Sequence, residues 1–164
     1  EHELHEIIWH RLNSIDNLHV LANNISDRLN IYSFYIEGLH FNLAVQLLND
    51  VYGIQTRGGC SCAGTYGHYL LDVDFDFSHK ITDNINAGDL SLKPGWIRIS
   101  LHPTMKNEEV EYIINSLEEL AKNYKNWTSD YKYDPETNEF KYLDSKFDLI
   151  NTKRVNSWFQ KKLK

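Results

Sequence analysis

Two cysteines stand two positions apart in "TRGGCSCAGTYGH", residues 56–68, among four glycines and between Arg57 and His68. The chemistry open to such a stretch is limited. A structural zinc site takes about four ligands, and two thiols with scattered histidines fall short of that. C-x-C is not the C-x-x-C of an exchange pair. A bridge between Cys60 and Cys62 would close a small, strained ring, so both read as free thiols of a reducing compartment, the cytoplasm. A tight turn holding cysteine as a small buried hydrophobe is the plain alternative. The surroundings favour a reactive thiol. "GTYGHYLL" predicts a short helix just beyond Cys62, and free N–H groups at a helix start stabilise thiolate. Arg57 adds positive charge across the turn, and Gly58 and Gly59 let the backbone bend closely around a ligand. The stretch therefore suits a low-pKa nucleophile or an anion-binding loop.

A second residue adds to this. "PGWIRISLH" reads as a strand introduced by the Pro94-Gly95 turn. Its alternation sets Ile97, Ile99 and Leu101 on one side and Trp96, Arg98, Ser100 and His102 on the other. An arginine in mid-strand must be paired if it is covered. It meets either a structural carboxylate or an anionic ligand, and its planar fork suits a carboxylate.

The rest of the chain must position these groups. Apolar residues at helical spacing predict helices over residues 3–15, 42–52 and 107–126, with Asn107 as a cap for the last. "LHVLAN" and "RLNIYSFYI" predict two antiparallel strands, and "IQTR" a third, short one. The aromatics of "IYSFYIEGLHF" read as core. Residues 72–93 read mostly as loop with a helix near 79–87, and "YKYDPETNEFKYL" as a hairpin turning at Asp134-Pro135. The expected fold is α+β, a mostly antiparallel sheet flanked by helices. A first unit covers residues 1–127, and residues 128–164 form an extension with the hairpin and a basic tail.

The chain of 164 residues, 41% hydrophobic and 13% aromatic, is large and apolar enough for one packed domain. Seventeen basic against 23 acidic residues give −6, which argues against a nucleic-acid or acidic-membrane surface. No run approaches the ~20 apolar residues of a membrane span.

"TRGGCSCAG" followed by "GWIRISLHPTMKNEEVEYIINSLEEL" resembles the C-terminal domain of class V aminotransferases, fold-type-I enzymes that use pyridoxal phosphate (PLP). The nearest branch is the cysteine desulfurase and selenocysteine lyase group, with its R-x-G-H-H-C-A-x-P loop and an R-x-S-L strand. Arg57, Gly59, Cys62 and Ala63 match the first element; Arg98, Ser100 and Leu101 match the second. The resemblance covers roughly residues 25–125. It implies that Arg98 holds a small amino-acid substrate's carboxylate and that Arg57 lines the same pocket. Cys62 would then take sulfur or selenium from cysteine or selenocysteine. Cys60-Ser61 replace the usual His-His pair and Thr65 the proline, so a transaminase-like or other lyase relative stays open.

"FSHKI", residues 77–81, is similar to the class's Schiff-base lysine motif. Lys80 follows the cysteine loop instead of preceding it by well over a hundred residues, and the Gly-Pro is missing, so Lys80 is rejected for that role. No cofactor-binding or metal-binding residue is expected here. The chain opens on Glu1 within a helical pattern and its single methionine is Met105, so the expectation is a fragment lacking the large PLP-binding domain. PLP would belong to the full-length parent, a homodimer, and the fragment alone would neither bind it nor turn over. A self-standing module that captures a small anion at Arg57 and Arg98, and a thiol-redox or metal-binding domain, are the competing functions.

Overall fold

The structure, a computed structural model, describes residues 2–60 and 64–144, with Lys153, Asn156 and Ser157 from the tail. Helix α1 spans His2–Asn13, followed by strands β1 (Leu18–Val20) and β2 (Ile31–Ile36), helix α2 (Phe41–Tyr52) and strand β3 (Arg57–Gly59). Helices α3 (Gly64–Leu70) and α4 (Phe75–Asn86) lead to strand β4 (Trp96–Ser100). Helix α5 (Asn107–Asn123), the short α6 (Lys125–Thr128) and the strands β5 (Tyr131–Asp134) and β6 (Glu139–Tyr142) complete the described chain.

The first four strands form one sheet in the order β1-β2-β4-β3, with every pair antiparallel; β5 and β6 form a separate hairpin. This is the α+β architecture expected. Leu4, Ile8 and Leu12 of α1, Leu43, Leu47 and Leu48 of α2, and Val110, Ile114, Leu117 and Leu120 of α5 share one core cluster with Tyr32, Phe34, Ile36, Ile97 and Ile99 of the sheet. The apolar stripes of three helices thus cover one sheet face, because period 3.6 on a helix and period 2 on a strand each put their apolar residues on one side.

Three local expectations are corrected. The third strand is Arg57–Gly59, not "IQTR", and its glycines pair opposite Ile97 and Trp96. The polar stretch after residue 72 holds a helix of 12 residues, begun by Asp74, whose carboxylate accepts the Phe77 N–H at 2.7 Å. Lys106, not Asn107, occupies the N-cap of α5, and its N–H donates to the Glu109 carboxylate at 2.8 Å.

The hairpin packs against α2. Tyr131 Oη donates to the Asp50 carboxylate at 2.8 Å, and Asn42 Nδ2 donates to the Asn138 carbonyl. His40 caps α2: its Nδ1 accepts the Asn42 N–H at 3.1 Å. Burial pushes the His40 pKa down, with a contact to Asn138 opposing. The folded value therefore lies below the unfolded one of about 6.5, and the unfolded chain binds more protons in acid. Stability should be full above about pH 6.5 and decline as pH falls toward the folded value. The decline should be of the order of a lost cap, about 1 kcal/mol, because protonated Nδ1 can no longer accept. Urea midpoints measured between pH 7.5 and 5 check this, and His40→Asn, which keeps a capping acceptor, should flatten the dependence.

Candidate functional site

The two arginines singled out in the sequence lie on the face of the sheet away from α1, α2 and α5. In β4, Ile97 and Ile99 point into the core, so Trp96, Arg98 and Ser100 point the other way. In β2 the same alternation buries Tyr32, Phe34 and Ile36 and leaves Ile31, Ser33 and Tyr35 on the outer side. Register then fixes neighbours. Ser33 stands opposite Arg98 on one flank, and Arg57 stands opposite Arg98 on the other. Directly opposed residues share a face, so one row runs Ser33–Arg98–Arg57 across three strands.

Two arginines thereby stand at directly opposed positions of neighbouring strands. Arg98 is half-buried and Arg57 exposed. Among the described residues neither has a carboxylate within ion-pairing distance. Like charges opposite one another on a sheet are unfavourable, and an anion lying between two planar forks reverses the sign of that term. Chemically, such an arrangement can accept a small anion.

One end of this outer face is covered. Trp96 is only 5% exposed, and α3 lies over it: a Cβ on Gly67 would stand 3.2 Å from the indole. That same Cβ would stand 3.8 Å from the Cys60 Cβ, so the half-buried Cys60 sits beside the α3–Trp96 contact. His68 Nδ1 lies 2.9 Å from Ser78 Oγ; this residue ties α3 to α4. Leu21, Ile81 and Trp96 are buried apart from the main core cluster. Beyond this covered end Arg98 is half-buried and Arg57 exposed. Clefts of about 430, 450 and 320 Å³ lie elsewhere and contain neither arginine.

Of the three sequence-predicted site residues, the structure brings Arg57 and Arg98 together. Cys62 lies outside the described residues. Lys80 is exposed on α4. Ser33 was not anticipated as a neighbour of Arg98; strand alternation in "IYSFYI", with a serine between aromatics, is the signal that would have found it. No described lysine is buried, and none of these three clefts contains Arg57 or Arg98. The two arginines are suited to an anionic group such as a carboxylate. Among the described residues no group of three or more His, Cys, Asp or Glu side chains could hold a metal ion. No described helix is long and apolar enough to cross a membrane.

The family model described as aminotransferase class-V matches residues 1–113, ending within α5. No curated protein matches the chain.

Proposed function

Because this chain belongs to the class V aminotransferase family, we propose that it supplies the amino-acid-recognising side of a PLP enzyme's active site. The observation that carries this is the register pairing of Arg57 with Arg98 on the open sheet face, with no carboxylate to neutralise either among the described residues. Arg98, the more enclosed of the two, takes the substrate carboxylate as a bidentate partner. Arg57 adds charge at the rim of the same row.

PLP, when bound, serves as an electron sink for the substrate's α-carbon. Its seat comes from polypeptide other than the residues described, either a large domain of the same protein or a partner chain, and the assembled enzyme is a homodimer. The 164 residues alone neither bind PLP nor turn over. The full protein with PLP should absorb near the visible edge, and this chain mixed with the same PLP should not. An absorbing complex of the chain alone removes the division of labour.

The finer proposal is a cysteine desulfurase or selenocysteine lyase. The sequence motif supports it: Cys62 follows Arg57 and Gly59 at the spacing of the group's R-x-G-H-H-C element. In the net reaction, cysteine and the Cys62 thiol give alanine and a Cys62 persulfide; the substrate's C–S bond breaks and one S–S bond forms. Cys62→Ala should abolish sulfur release in the assembled enzyme, with a loss of at least about 10³-fold as expected for a missing nucleophile. Cys60→Ala should only weaken it. Equal, near-native activity of both variants points instead to a transaminase-like relative.

A further inference from the structure

The strands that carry the two arginines rest on the start of α2, where Phe41 is the contact they share and Val45 and Asn42 also press on β3. Phe41, the first residue of α2, is buried, and a Cβ on Gly95, just before β4, would stand 2.6 Å from it. A Cβ on Gly58, in the middle of β3, would stand 3.0 Å from the same ring. Neither position has room for a side chain. Strand β3 is an edge strand of three residues, two of them glycine. Glycine contributes little to strand formation, so the placement of Arg57 depends on what β3 lies against.

The Phe41 ring is itself held from behind. His40 stacks on it with centroids 4.6 Å apart and 24° between planes. The other surroundings of His40 come from the hairpin: Tyr133 at 5.4 Å and Phe140 at 5.2 Å, which also pack on each other at 4.8 Å. Hydrogen bonds pin this contact on both sides. Asn42 of α2 donates to the Asn138 carbonyl, and Tyr133 Oη lies 2.9 Å from Asn138 Oδ1. Packing, the Nδ1 cap bond and the contact to Asn138 together fix the His40 ring. The continuous contact runs Tyr133/Phe140–His40–Phe41–Gly58/Gly95. Close-packed interiors pass displacement on because no slack absorbs it, and the two glycines have no side chain that could yield.

We propose that the β5–β6 hairpin, which lies beyond the family match at residues 1–113, is a positioning device for the arginine row, with His40 and Phe41 as the positioning residues that transmit its seating to β3. The identity of the ligand rests on the function proposed above; the mechanical coupling does not.

Amide hydrogen exchange on the full 164-residue chain tests the coupling directly. Phe140→Ala should lower protection of the β3–β4 ladder by about tenfold or more while leaving the β1–β2 ladder within a factor of about two, since local openings report local contacts. Equal loss in both ladders, or no loss in either, overturns the proposal. Should Phe140→Ala fail to fold, His40→Asn decides, because it keeps a capping acceptor and removes the ring. Selective loss in β3 supports the proposal, and unchanged β3 protection overturns it. Acetate, followed through the side-chain N–H signals of Arg57 and Arg98, separates the two readings. No response in the unmodified chain counts against the anion receptor, whereas the exchange result stands or falls by itself.

Discussion

Arg98→Gln should weaken carboxylate binding and at the same time stabilise the unliganded chain. The two effects have opposite signs because they come from the same pair. With an anion present, loss of a bidentate guanidinium contact costs about 2–4 kcal/mol, a weakening of roughly 30-fold or more. In the assembled enzyme the Michaelis constant for the amino acid should rise by about that factor. Without an anion, the substitution removes one of two like charges at directly opposed positions of β3 and β4, worth a few tenths to about 1 kcal/mol in favour of the fold. Arg57→Gln should show the same pattern on a smaller scale, because Arg57 is exposed and solvent screens its charge. Urea melts with and without acetate, set beside the substrate dependence of the enzyme, check both signs. An Arg98→Gln variant that loses several kcal/mol of stability and keeps its Michaelis constant would mean that Arg98 is a structural ion-pair partner.

The sequence-based reading went furthest where one physical rule acts alone. In β4 the alternation of Trp96 through Ser100 put Arg98 on the face opposite Ile97 and Ile99; those two are buried in the core, Arg98 is half-buried and Ser100 exposed, and Trp96 departs from the pattern because α3 covers it. The apolar stripe of α5 likewise marked Val110, Ile114, Leu117 and Leu120, all fully buried. It failed where local and tertiary terms compete. Gly58 and Gly59 read as a turn because glycine is a poor strand former, yet they form the strand because only a residue without a side chain fits against Phe41 at Gly58. Residues 75–86 read mostly as loop because Asp and Asn favour turns; only Ile81 of that helix is buried, so its apolar stripe was too thin to outweigh them. The pairing of Arg57 with Arg98 was available only as a family resemblance. No local pattern states which residues of two strands 40 positions apart will stand opposite each other. The seat of the hairpin on α2 was invisible for the same reason: a histidine between Leu39 and Phe41 gives no sign that Tyr133 and Phe140 enclose it.

The face assignment on which the arginine row depends can be tested in β2, one residue apart. Phe34 is fully buried in an interior strand, in register with Val20 on one side and Ile97 on the other. Phe34→Ala should cost about 3–5 kcal/mol, the transfer term plus an unfilled cavity, a large share of the roughly 5–15 kcal/mol that holds such a domain together. Ser33 is its neighbour in sequence, but it faces outward beside Arg98 and stands in no core cluster. Ser33→Ala should change stability by no more than about 0.5 kcal/mol. Chemical denaturation of the two variants gives the difference directly. If Phe34→Ala lowers the urea midpoint steeply and Ser33→Ala leaves it in place, Ile97 lies in the core and Arg98 on the open side, as a receptor for an anion requires. Equal costs at the two positions would mean that β2 does not alternate as described, and a register displaced by one residue would turn Arg98 inward and dissolve the site.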